Sequence, residues 1–175
     1  KAHIVEVFEA FAEKIEKGIE KAVEIGNGLV PTYFTHEAVD FEPVVDENGE
    51  PVISHYGLQK AKVKAFKAVP LPYFLEGPAR MMGYVDVDTA RDMFNKVKKT
   101  DLYDKKLAMY KTSASIEGCS MENGRCRAFT PGWQERENVF LHMEYKYILA
   151  MLKAGLYDEY YDTITRALIP FLDPN

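Results

Sequence analysis

A mainly α-helical fold with a β-hairpin or strand insertion is what this chain predicts, on three observations. Apolar residues recur every three to four positions at the start, the pattern turns strand-like over residues 29–69, and capped apolar helices return after a proline-rich break. The 175 residues suffice for one domain with a substantial core and read as a single partial domain, 1–175, with the strand-rich insertion at about 29–69.

Taken in order, Ile4, Phe8, Phe11, Ile15, Ile19 and Val23 form one face of an amphipathic helix from about Ala2 to Ile25, which Gly26-Asn27-Gly28 ends. Strands are expected at Leu29–Glu37, Ala38–Val45, Pro51–Tyr56 and Leu58–Val69, because β-branched and aromatic residues dominate there. Asp46-Glu47-Asn48-Gly49 is a strong hairpin turn. Lys60, Lys62, Lys64 and Lys67 make the last strand basic, as befits a solvated edge. Pro70–Pro78 then introduces a helix containing Ala79, Met81 and Met82, with Glu76 and Arg80 spaced to pair and a sugar contact by either as the lesser option. Asp88 is expected to cap the next helix, through Ala90, Met93, Phe94 and Val97, and Lys96, Lys98 and Lys99 suit its C-terminal end. After an irregular section from Thr100 to Thr130, one helix runs through His142 and another from about Asp158 to Phe171, separated by Gly155.

Composition narrows the function classes. The net charge of −5 disfavours nucleic acid, and with 47% hydrophobic residues no apolar run approaches the roughly 18 residues of a membrane span. The start of the chain lacks the continuous apolar core and small-residue cleavage site of a signal peptide, so a cytoplasmic protein is expected. Cys119 and Cys126 match neither a zinc pair nor a redox Cys-x-x-C, and free thiols are expected. His3, His36, His55 and His142 are too dispersed to form a ligand set by spacing, so no metal is predicted.

The densest site chemistry lies in Arg125–His142, RCRAFTPGWQERENVFLH, around a Pro131-Gly132 turn that leads into a helix. Arg and His hold phosphate oxygens, while Glu and Asn divide sugar hydroxyls between acceptors and donors. With Asn138 as the helix cap, His142 falls in the first turns, where free backbone N–H groups favour an anion. His142 and Arg136 are therefore the candidate phosphate-binding residues, and Glu135, Asn138 and Trp133 the candidate sugar-binding residues. Arg125 and Arg127 are expected to brace the loop.

The run Gly124-Arg125-x-Arg127-x-Phe129-x-Pro131-Gly132, an acid three residues on, then an aromatic and a histidine, resembles the cellobiose phosphorylase family, the inverting phosphorylases of glycoside hydrolase family 94. The resemblance extends back through Asp101–Ser113 and forward through Tyr145–Tyr161, but only Arg125–His142 is specific. It implies part of an (α/α)6 toroid of the six-hairpin glycosidase type, a phosphate-contacting role for His142 and a sugar-side acid at Glu135. It implies cleavage of β-linked gluco-oligosaccharides by inorganic phosphate, with no further cofactor, to give α-glucose 1-phosphate. Its partners would be an oligosaccharide, phosphate, and the remainder of the same enzyme as another chain or in a homodimer. Arg136, Glu137 and Asn138 depart from the family's commoner Asn-Gly-Gly, which suggests a branch with a different acceptor preference. The family's general acid is an aspartate in a Trp-Asn-Asp type motif, and since the single tryptophan is Trp133, that acid is expected outside this chain, whose two ends read as cuts. Two alternatives stand beside this reading: a carbohydrate-binding or structural fragment without catalysis, and an inverting hydrolase with Glu135 or Glu137 as base.

Overall fold

The structure is a computed structural model that describes residues 2–172. It is mixed and mainly helical, about 45% helix and 19% strand. The elements are α1 (Ala2–Ile25), β1 (Phe34–Pro43), β2 (Ala61–Pro70), α2 (Glu76–Met81), α3 (Val87–Val97), β3 (Tyr103–Asp104), β4 (Met109–Tyr110), α4 (Arg125–Ala128), α5 (Leu141–Lys153) and α6 (Tyr157–Ala167). Single turns of 3-10 helix occupy Met82–Tyr84, Met121–Asn123 and Ile169–Phe171. The chain divides into two compact units, Phe34–Pro70 and the remainder, Lys1–Tyr33 with Leu71–Asn175.

Within the smaller unit, β1 and β2 pair antiparallel from Phe34↔Pro70 to Pro43↔Ala61, with a bulge between Ala38 and Phe41. Four strands were expected, and two long ones form. Between them the ladder thins to the bridges Val45↔Pro51 and Ile53↔Gln59. Pro51 has no N–H to donate, and the Ser54–Gly57 turn, with Gly57 at φ 76°, interrupts the path. The Asp46 turn forms as its chemistry predicts: Asp46 Oδ1 accepts from the Asn48 and Glu50 N–H groups at 2.8 and 2.9 Å, which holds its carboxyl below the usual range. Lys64 pairs with Glu42 across the hairpin.

In the larger unit, α1 has the boundaries the periodicity predicts, yet its apolar face stays open, with Phe8 69% and Ile15 62% exposed. The core lies elsewhere. Leu75, Met82, Met93, Phe94, Val97, Leu102, Tyr110, Tyr147, Met151 and Leu156 close on one another from α2, α3, β4, α5 and the turns beside them. These are positions three and four apart on their helices, so the stripes that the sequence carries are the ones buried. Asp86, two residues before the expected Asp88, caps α3: its extended backbone lets Oδ1 accept from the Asp88 and Thr89 N–H groups, each at 3.0 Å. The last helix ends at Ala167 and tightens into the 3-10 turn containing Pro170.

One glycine decides how closely α2 approaches the segment before β1. The Gly77 N–H donates to Thr32 Oγ1 at 2.8 Å, and a Cβ there would stand 2.4 Å from the Val30 carbonyl oxygen. Backbone cannot yield as a flexible side chain would. Gly77→Ala is therefore expected to cost about 1–3 kcal/mol, the usual range for overpacking. Thermal unfolding checks this, and an unchanged midpoint would contradict the close approach.

Candidate functional site

The segment between β4 and α5 is irregular in backbone but held by specific long-range bonds. Thr112 is one anchor: its N–H donates to the Asn138 carbonyl at 2.8 Å, and its hydroxyl lies 3.0 Å from the Glu135 carbonyl. Ser113 is another, with its Oγ accepting from the Glu137 N–H at 3.0 Å. These contacts fix the stretch 135–138 against the end of β4.

Arg136 is the internal brace. It is 3% exposed, and its Nη1 donates to the carbonyls of Arg127 at 2.8 Å and Phe129 at 2.6 Å, while Nη2 reaches the Glu117 carboxylate. Arg127 joins the same carboxylate at 3.0 Å, so two guanidiniums hold Glu117 below the usual carboxylate range. The turn itself closes through Gly132 N–H to the Arg136 carbonyl at 2.8 Å.

What this scaffold presents is a cavity of about 450 Å³. His142 and Lys146, one turn apart on α5, line it with Arg125 of α4, Glu135, Glu76 of α2, Thr112 and Cys126. Tyr33, Phe74 and Phe140 supply aromatic walls, with the Tyr33 ring edge-on to Phe74 at 5.0 Å. Burial and the nearby Glu76 carboxylate push the Tyr33 hydroxyl up from its ordinary value. Arg125 Nη2 donates to Glu135 Oε1 at 2.6 Å, while Glu135 Oε2 is buried without a partner. Three basic side chains, two carboxylates and three aromatic rings thus share one space. Such a space suits a ligand that is both hydroxylated and anionic.

Comparison with protein-family models, with characterised proteins and with solved structures returned no match to this chain.

Of the residues singled out from the sequence, Glu135 and His142 come together in the cavity, and Arg136, Asn138 and Trp133 do not line it. Arg136 is the clearest correction, since its guanidinium is committed to two carbonyls and to the carboxylates of Glu117 and Glu137 and is no phosphate ligand in this arrangement. Asn138 is not the helix cap. Helix α5 begins at Leu141, so Phe140 occupies that position without a side-chain bond, and Asn138 lies two residues before it with its carbonyl bound by the Thr112 N–H. Trp133 packs on Phe129 at 4.8 Å and is 55% exposed, leaving its ring outside the cavity. The Glu137 carboxylate accepts from the Ser115 hydroxyl at 3.2 Å and pairs with Arg136 Nε at 3.5 Å, while its N–H donates to Ser113. Of the two arginines expected to brace the loop, Arg127 does so, whereas Arg125 lines the cavity.

Among the charged cavity residues, Lys146 is one that sequence reasoning missed as a site member, whereas Glu76 reads from the sequence first as the helix partner of Arg80 and only secondarily as a sugar contact. Lys146 carried a usable signal, because His142 and Lys146 are four apart and must share a helix face. For Glu76 the spacing to Arg80 favoured the pair, and its approach to the cavity depends on how α2 packs against α5. Both cysteines are free thiols, partly buried. Among the described residues no group of three or more His, Cys, Asp or Glu side chains is placed to hold a metal ion, and no helix is long and apolar enough to cross a membrane.

Proposed function

We propose that this chain is a portion of an inverting glycoside phosphorylase that cleaves β-linked gluco-oligosaccharides with inorganic phosphate to give α-glucose 1-phosphate. The observation that carries the reading is the convergence of His142, Lys146 and Arg125 with the carboxylates of Glu135 and Glu76 and three aromatic rings in one cavity. The resemblance of Arg125–His142 to the cellobiose phosphorylase family supports the same reading, and with it membership of an (α/α)6 toroid in a cytoplasmic enzyme.

In this mechanism phosphate oxygens are held by His142, Lys146 and the start of α5, where unpaired N–H groups add a favourable field. Phosphate is already an anion, so the cationic cradle takes the place of the base that an inverting hydrolase uses to activate water. One phosphate oxygen bonds to the anomeric carbon from the face opposite the leaving sugar, whose oxygen takes a proton from the enzyme's aspartic acid. The C–O bond to that sugar breaks with its electron pair, and configuration inverts. Glu135, ionised beside Arg125, accepts from sugar hydroxyls. Arg125 then serves the site by orienting Glu135.

The test uses two substrate kinds. Phosphate-dependent release of glucose 1-phosphate is measured from β-linked gluco-oligosaccharides and from 2,4-dinitrophenyl β-glucoside, whose leaving group departs without a proton. Release from the aryl glucoside is expected with this chain, and His142→Ala should lower it roughly a hundredfold, the scale of one lost charge-stabilising contact. Glu137→Gln should leave the rate unchanged, because its carboxylate faces Ser115 and Arg136 rather than the cavity, and the amide oxygen can still accept from both. Free glucose in place of glucose 1-phosphate would make the protein a hydrolase. Saccharide binding that ignores phosphate, with neither product formed, would make it a binding module.

A further inference from the structure

The His142 cavity is not isolated. Met143 and Lys146 line it on one side and on the other line a second cavity, of about 440 Å³, between α5 and the α2–Tyr84 segment. The wall facing this second space carries Arg80, Lys146 and Lys153, and no acidic residue lines it. Lys146 and Lys153 are seven apart on α5, two helical turns on one face, and neither has an ion-pair partner among the described residues. Arg80 is paired with Glu76 at 3.1 Å, so two uncompensated charges remain. Small residues, Ala79, Gly83 and Ala150, leave the floor open, and the Tyr84 ring is 85% exposed at its edge.

An exposed aromatic ring beside unpaired cations is chemistry for a ring-shaped, hydroxylated ligand with a negative substituent. The ring supplies an apolar face and the ammonium groups supply charge-assisted hydrogen bonds. We infer that the Arg80–Lys146–Lys153 cavity is a subsite for an anionically substituted sugar unit, a uronate or a sugar phosphate ester, at a distance along the saccharide from the bond cleaved at His142. This rests on the phosphorylase reading for the saccharide nature of the ligand; the preference for negative charge rests on the cavity lining alone. Lys146 touches both spaces and links them. A neutral oligosaccharide leaves these charges to water, whereas an anionic one gains contacts that a neutral chain cannot make.

Three matched probes test this: p-nitrophenyl β-glucoside, p-nitrophenyl β-glucuronide and the 6-phosphate of the glucoside. Binding is followed by amide chemical shifts, with Kd measured at low and high salt. At least one anionic probe is expected to bind about tenfold tighter than the glucoside, the scale of one charge-assisted bond, with shifts at Gly83, Tyr84 and Leu149–Lys153. Which of the two prevails separates carboxylate from phosphate recognition. That advantage should shrink in high salt and vanish in Lys153→Gln, whose side chain lines the second cavity and not the first. It should persist in His142→Ala. Equal affinities for all three probes would overturn the subsite, as would no binding by any of them. So would an advantage that survives Lys153→Gln, or shifts confined to Thr112, Glu135 and His142. A preserved charge preference without glucose 1-phosphate release would instead overturn the phosphorylase reading and leave the anion subsite standing.

Discussion

Arg136→Leu is expected to destabilise the larger unit by about 2–4 kcal/mol, because the substitution strips charge-assisted donors from the Arg127 and Phe129 carbonyls and offers nothing in return. Arg136→Lys should recover little of this, since a single ammonium cannot span two carbonyls and two carboxylates as the planar fork does. Glu117→Gln makes the informative contrast. Its carboxylate is exposed on the far side of the same contact, so water replaces what is lost and the effect should be distinctly smaller. Urea unfolding of the three variants measures the ordering, and hydrogen exchange locates it. Faster exchange at residues 127–138 is expected in Arg136→Leu, with α3 unaffected. Equal losses for Arg136→Leu and Glu117→Gln would show that the ion pair, rather than the carbonyl bonds, holds the segment.

The second large effect concerns a carboxyl in the core. Glu144 is fully buried on α5; its Oε1 accepts from the Tyr110 N–H at 2.8 Å, while Oε2 has no partner and the hydroxyls of Tyr110 and Tyr147 are likewise unpartnered. Burial raises its carboxyl from 4.5 to about 7, against the opposing pull of the Tyr110 N–H. Below pH 4.5 the group is protonated folded or unfolded, and its stabilising term is fully present. As pH rises to about 7 the unfolded chain releases the proton that the folded one retains, and stability falls. The loss amounts to roughly 3 kcal/mol by the linkage relation and levels off above the folded value. Glu144→Gln cannot titrate. The stability difference between variant and parent should therefore grow in the variant's favour from pH 4 to pH 8, whatever constant offset the amide introduces. Denaturant midpoints across that range check it, and parallel curves would refute the raised carboxyl. His142 lies two residues away on the same helix, so any activity profile is best compared in both backgrounds.

How much of this was legible beforehand depends on the range over which the deciding interactions act. Ala2–Ile25 could be read to its ends because an amphipathic repeat and a Gly-Asn-Gly stop are local signals. The Asp46 turn and the Glu76–Arg80 pair follow for the same reason, since each involves residues at most four apart. The first two expected strands join into β1, and the expected strand Pro51–Tyr56 does not form, because alternation says nothing about a missing Pro51 donor or a competing turn at Ser54–Gly57. Similar local chemistry stood at Asp88 and Asp86, and backbone direction chose the latter.

Residue types alone determined that Arg125–His142 would concentrate charge, hydrogen-bonding groups and aromatics near a helix start, and they singled out Trp133, Glu135, Arg136, Asn138 and His142 alike. Only the tertiary structure decided which of them meet. Thr112, more than twenty residues upstream, binds the carbonyls of Glu135 and Asn138 and fixes the stretch in which Arg136 turns inward as a brace, and α5 starts two residues beyond Asn138's capping reach. The packing of α2 on α5 brings Glu76 to the first cavity and Arg80 to the second. A sequence specifies short-range order through periodicity and turn chemistry. The partners of a polar side chain far along the chain are settled when the core closes, because only then is it known which donors and acceptors have lost their water.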